Sequence, residues 1–164
     1  MEDIKTLLPH SKSDVKKEKK EDLVSINEIA EMKNCNKCIY FENKKHQDLY
    51  MWMSNITKGP SIKFMVENVH SMKELKLTGN SLKGTRPLLC FDPLFDKNPQ
   101  NSLMKELFKQ VFNAPRGHPK TQPFFDRVFV FSLVDDKVWF RNYQIVDEEG
   151  QLTEIGESLA GLRQ

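Results

Sequence analysis

Apolar residues recur along this chain with two different periods, and each change of period marks an element. Ile62, Phe64 and Val66 alternate with Lys63, Met65 and Glu67, the period-2 signature of a half-buried strand, and Gly59-Pro60 before them forms a rigid turn. Leu88-Leu89-Cys90-Phe91 is a second, shorter apolar run, ended by Asp92-Pro93. The spacing then becomes helical. Leu103, Met104, Leu107, Phe108, Val111 and Phe112 recur at i, i+3/i+4, Asn101 stands where a cap belongs, and Pro115 bars continuation, which predicts a helix over 102–113. Ser25-Ile26-Asn27-Glu28 reads as a capping box flanked by Val24 and Ile29, predicting a helix over 26–33. Ser71-Met72-Lys73-Glu74 reads as another, opening one short helical turn that Thr78-Gly79-Asn80 stops. Ile4, Leu7 and Leu8 share a face of a first helix that Pro9 ends.

Two hairpins complete the pattern. Cys38 to Phe41 and Leu49 to Met53 flank a polar turn, Asn43-Lys44-Lys45-His46-Gln47, and Arg127 to Val134 and Val138 to Val146 flank Asp135-Asp136-Lys137. Helix 26–33 with its Trp52 hairpin is matched by helix 102–113 with its Trp139 hairpin. Neither hairpin can bury its apolar face alone, so the pattern predicts an α/β fold of two similar halves packed together, about 23–91 and about 101–146.

Composition narrows the reading. A chain of 164 residues, 38% hydrophobic with eleven Phe, supports one domain with a real core. The net charge is only +2, so any basic function must arise from local clustering. No run approaches the roughly 18 apolar residues of a membrane span, which argues against a membrane partner. The N-terminal stretch lacks a signal-peptide apolar region, and three cysteines suit a reducing compartment. From His10 to Asp22, Lys12, Lys16, Lys17, Lys19 and Lys20 face Asp14, Glu18, Glu21 and Asp22, the composition of a mobile, solvated loop.

The search for reactive chemistry ends without a site. Cys35-x-x-Cys38 has no second pair to complete a zinc site, and two small residues at a strand entry is the stronger reading. His10, His46, His70 and His118 are scattered, with no neighbouring nucleophile. Asp92 precedes Pro and forms a turn, and no phosphate-cradling Gly-rich motif is present. No enzyme, metal or cofactor is therefore expected. What remains is cations interleaved with aromatics. Lys44, Lys45, Lys63, Lys83, Arg86, Arg116, His118, Lys120 and Arg141 alternate along the chain with Tyr40, Trp52, Phe91, Trp139 and Tyr143. Cations can hold phosphates while rings stack on unpaired bases, so these nine are the candidate RNA-binding residues. Lys83 and Arg86 lie in one Gly/Pro-punctuated loop and Arg116, His118 and Lys120 in another. An approximate two-fold between the halves would set the loops at comparable positions on two lobes.

Three long stretches, NCNKCIYFENKKHQDLYMWMSN, GPSIKFMVENVHSMKELKLTGNSLKGTRPLLCFDPLFD and PRGHPKTQPFFDRVFVFSLVDDKVWFRNYQIV, closely resemble the Brix-domain family. The resemblance covers about residues 4–156. It implies a domain of two similar α/β halves, like the anticodon-binding domain of some aminoacyl-tRNA synthetases. Family members carry a strand and a longer helix ahead of the residues matching Ile4–Ser11, and a further apolar helix beyond Gly156. The resemblance thus implies a partial Brix domain over 1–156, incomplete at both ends, with a divergent tail at 157–164. It further implies a non-enzymatic nucleolar factor of the nucleus that binds precursor ribosomal RNA during large (60S) subunit assembly and rRNA processing. Other assembly factors and ribosomal proteins would be its partners. The competing reading is a protein–protein scaffold with incidental RNA contact.

Overall fold

The computed structural model describes residues 1–15, 24–45, 47–72, 74 and 84–145, and the backbone alone of 152–153 and 162–163. The strongest helical pattern becomes α3, Pro99–Phe112, whose Met104, Leu107, Phe108, Val111 and Phe112 are all buried. Leu103, counted in that stripe from its spacing, is instead 50% exposed. It sits roughly 110° around the helix from the middle of the five buried residues, at 100° per residue, and so outside the stripe. The helix also starts earlier than Asn101. Asn98 is the N-cap, extended at φ −120° and ψ 140° as a residue before proline prefers, and Pro99 opens the first turn.

Around α3 lies one mixed sheet. The first unit is an antiparallel meander of β1 (Lys37–Lys44), β2 (Asp48–Asn55) and β3 (Ser61–Val66). The second unit is β4 (Pro87–Phe91), β5 (Arg127–Val134) and β6 (Lys137–Ile145). Here β5 and β6 form the hairpin, and β4 pairs with β5 in parallel. Parallel neighbours need a crossover, supplied by a short 3-10 helix, Pro93–Asp96, followed by α3. Asp135 and Asp136, at φ 50° and 56°, make a two-residue turn matched to strand twist, so Lys137 belongs to β6 rather than to the turn. Val146 lies outside the described residues. Two short strands finish the sheet. β7 (Leu152–Thr153) pairs with the end of β6, and β8 (Leu162–Arg163) sits between β3 and β6, giving the order β1-β2-β3-β8-β6-β5-β4.

The α/β fold agrees with the sequence reading, but the half boundary at 91 does not. β4 lies within that first half in sequence and yet pairs with β5 of the second unit, because the α3 crossover brings it there. The helices are less alike than the strands. α3 fills one core shared by both units, packed on Met51, Met53 and Phe64 from the first and Phe129, Phe131, Val138 and Phe140 from the second. Leu7 and Leu8, at the end of α1 (Glu2–Leu7), join it. The other predicted helix, α2 (Val24–Met32), buries only Ala30 and contributes nothing to this core. It begins one residue before Ser25, which therefore stands in its first turn and is not its cap.

Ser71 and Glu74 do meet, but as a turn: the Ser71 hydroxyl donates to Glu74 Oε1 at 2.8 Å and the Glu74 N–H to the Ser71 carbonyl at 3.0 Å. Residues 75–80, predicted to continue that turn, lie outside the described residues. In the charged loop, residues 12–14 are tied to the end of α2. Lys12 Nζ donates to the Lys33 carbonyl at 2.6 Å, and Lys33 Nζ pairs with Asp14 at 3.0 Å. Residues 16–22 are not described. Among the described residues no helix is long and apolar enough to cross a membrane.

Candidate nucleic-acid interface

Side chains alternate along a strand, so every strand that sends one set into the core presents the other set on the opposite face. On the first unit that outer face carries Tyr40 and Glu42 from β1, Tyr50 and Trp52 from β2, and Lys63 and Met65 from β3. The ammonium of Lys63 lies 4.2 Å from the Tyr50 ring centre, 4.9 Å from that of Trp52 and 3.6 Å from Glu42 Oε2. Trp52 Nε1 donates to the same carboxylate oxygen at 3.3 Å. On the second unit β6 presents Trp139, Arg141 and Tyr143, with the Arg141 guanidinium 5.4 Å from the Trp139 ring centre. Cations held over ring faces in this way gain from the ring quadrupole.

The register joins the two clusters. Met65 and Lys137 both pair with Arg163, and Val66 and Val138 both pair with Leu162, so the outer face runs unbroken from one unit to the other. Lys137 Nζ meets Glu67 Oε2 at 3.1 Å across the same junction. Lys63 stands three positions before Val66 and Arg141 three after Val138. The clusters are thus offset by roughly 20 Å along the strands and 10 Å across them. Phe91, grouped with these aromatics in the sequence, is on the other face, stacked on Phe131 at 4.8 Å between centres.

The basic loops are arranged differently from the sequence reading. They do not occupy two lobes but meet in one place, because parallel strands start side by side and these loops precede β4 and β5. Gln122 N–H donates to the Gly84 carbonyl at 2.8 Å and Arg86 N–H to the Phe124 carbonyl at 3.0 Å. The Thr85 hydroxyl donates to Asp126 Oδ1, and Asp126 lies 3.7 Å from Arg127, whose side chain is buried. Arg86, His118 and Lys120 are therefore gathered where β4 and β5 begin, at the β4 edge of the sheet, and with Arg116 from the same loop as His118 they make one basic rim. Arg86 Nε is buried there without a hydrogen-bond partner among the described residues. His118 Nδ1 accepts from Lys120 N–H at 3.2 Å, and its ring meets that of His10 edge-on at 6.2 Å. Burial, and then His118, holds His10 below the usual imidazole range. Lys44, with Asn43, ends β1 rather than belonging to the turn, and Lys45 follows it in the β1–β2 turn, at the opposite edge of the sheet. Lys83 lies outside the described residues.

Glycine is required at one point of the rim. Gly84 has φ +83°, and a Cβ there would come within 2.8 Å of the Lys120 carbonyl oxygen. Gly84→Ala is expected to destabilise the protein by about 2 kcal/mol, from the left-handed backbone penalty and the close approach together. A urea melt measures it, and a change below about half a kcal/mol would mean the two loops are not held together by this contact.

The cysteines offer no competing site. Cys35 and Cys38 are free and half-buried, and burial, followed by the neighbouring Cys35, pushes the Cys38 thiol up, away from the thiolate that binds metal. Among the described residues no three His, Cys, Asp or Glu side chains are grouped to hold a metal ion.

The molecule is thus a mixed α/β protein with a cation- and aromatic-bearing sheet face and a basic rim at one edge. The Brix domain family matches residues 1–159, and the chain belongs to that family. It is 60% identical to a human protein named Ribosome biogenesis protein BRX1 homolog, over 95% of this chain and 44% of the human protein. The proteins of the same name from Xenopus laevis and Caenorhabditis elegans are each 57% identical over 95% of this chain, covering 46% and 45% of their own lengths. The chain therefore spans less than half the length of these relatives. A solved structure, that of a probable ribosomal biogenesis protein from Aeropyrum pernix K1, matches with a TM-score of 0.49 at 13% identity, over 87% of this chain and 73% of that one.

Proposed function

We propose that this chain acts in ribosome biogenesis as a non-enzymatic module that binds precursor ribosomal RNA during large (60S) subunit assembly and rRNA processing. Its setting is the nucleolus, among other assembly factors and ribosomal proteins. The names of its relatives support the process. The observation that carries the RNA reading is the outer sheet face, where Lys63 lies over Tyr50 and Trp52 and Arg141 lies over Trp139. Such pairs offer charge to phosphates and ring or guanidinium planes to bases, and the face is wide enough for several nucleotides.

The competing reading is a protein scaffold in the pre-ribosome. Salt separates the two, because each neutralised phosphate releases counterions and protein contacts need not. Binding of the chain to a precursor-rRNA fragment is expected to weaken with a log–log salt slope steeper than about −2, equivalent to three or so phosphates at roughly 0.7 each on a single strand. A slope near zero, or no binding at low salt, would leave the scaffold as the better reading.

A further inference from the structure

The cations of the rim are accompanied by two rings that the sequence reading did not select. Phe124 and Phe125 are 59% and 52% exposed, although the other nine Phe of this chain are in or against the core. Their backbone is pinned on both sides. The Phe124 carbonyl accepts from Arg86 N–H at 3.0 Å, and the Asp126 carbonyl accepts from Ile145 N–H at 2.7 Å. Asp126 also receives the Thr85 hydroxyl, and Gln122 N–H is held by the Gly84 carbonyl at 2.8 Å. A floppy loop could fold such rings inward. This loop is fixed, so it holds two large apolar faces in water next to the Arg86 backbone, on the segment that also carries Arg116, His118 and Lys120.

Adjacent exposed aromatics rimmed by cations mark an interaction surface. The basic residues of the two adjoining loops select an anionic partner, and flat rings select one with flat apolar faces. Unpaired nucleobases on a phosphate backbone meet both requirements, whereas a duplex keeps its bases stacked and out of reach. We propose that Phe124 and Phe125 stack on unpaired bases, making the rim a site for single-stranded RNA. The inference rests on the RNA-binding reading above and adds to it the strandedness of the ligand.

The test compares oligo(U) with a blunt RNA duplex, using the full chain and two double variants, Phe124→Leu/Phe125→Leu and Phe124→Tyr/Phe125→Tyr. Leucine keeps apolar bulk and loses the ring, while tyrosine keeps the ring. The leucine variant is expected to bind oligo(U) about tenfold more weakly, a modest value for two lost stacking platforms, with an unchanged salt slope because no phosphate contact is lost. Its duplex binding should match the parent, and the tyrosine variant should bind oligo(U) like the parent. A leucine variant that binds oligo(U) as tightly as the parent overturns the inference alone and leaves the rings to an apolar peptide partner. Equal losses on both RNAs overturn it as well, since the rings would then act only through loop shape. A parent protein that binds neither RNA overturns this inference and the RNA-binding reading together.

Discussion

Phe108→Ala is expected to destabilise the protein by roughly 3–5 kcal/mol, the range for truncating a fully buried Phe. Phe108 is 0% exposed and stacks on Phe64 at 5.6 Å and on Phe131 at 4.9 Å between ring centres. Phe64 lies on β3 and Phe131 on β5, so one ring joins the two three-stranded units. Across the sheet the units are further joined by the two-residue β8 and the Lys137–Glu67 pair. At about 2–4 °C per kcal/mol for a chain of this size, the melting temperature should fall by about 10 °C. Leu103→Ala is the control on the same helix. With Leu103 half in water, its change should stay within about half a kcal/mol. Equal shifts for the two variants would mean that α3 does not pack the face described.

How much of this was legible in the sequence depends on the range over which each feature is determined. The hairpins were readable because turn chemistry and period-2 alternation are local. Asp135 and Asp136, both at positive φ, are the residues that a tight hairpin turn demands. The apolar stripe of α3 was readable for the same reason. Its start was not read correctly because Pro99 shifted the cap from Asn101 to Asn98. The unequal parts of the two helices could not be read at all. α2 and α3 have comparable local signals, and only the tertiary arrangement decides that α3 is central and α2 peripheral.

The candidate interface divides along the same line. Lys63 and Arg141 were legible as outward residues, since each alternates with core positions of its own strand. The partners of Lys63, Tyr50 and Trp52, required the register, whereas Trp139 stands two positions before Arg141 on the same strand and follows from alternation alone. The meeting of the two basic loops required knowing that β4 and β5 are parallel, a pairing forty residues apart in sequence (Leu88 with Val128) that no local pattern announces. Phe124 and Phe125 were overlooked because an aromatic pair in a sequence reads first as core. Only their exposure beside pinned backbone distinguishes them.

Reversing charge at Arg116 and Lys120 together gives the largest effect expected on RNA binding. Both side chains are exposed, and neither has a carboxylate partner among the ion pairs of the described residues. Their replacement by Glu should therefore leave the melting temperature within a degree or two of the parent. If each cation holds one phosphate at about 1 kcal/mol of net binding, Arg116→Glu/Lys120→Glu should weaken binding to a single-stranded precursor-rRNA fragment roughly thirtyfold at low salt. The salt slope should become shallower by about 1.4 units, two phosphates at roughly 0.7 each. Lys44→Glu/Lys45→Glu is the matched comparison, with equal charge change at the opposite edge of the sheet, where among the described residues no second basic loop and no exposed ring pair converge. It should shift the slope by no more than about one unit. Filter binding at four salt concentrations reads both quantities for both variants. If the two double variants lose affinity equally, binding follows overall charge and the rim is no site; if the rim variant loses none while Lys44 and Lys45 matter, the RNA path runs along the β1 edge instead.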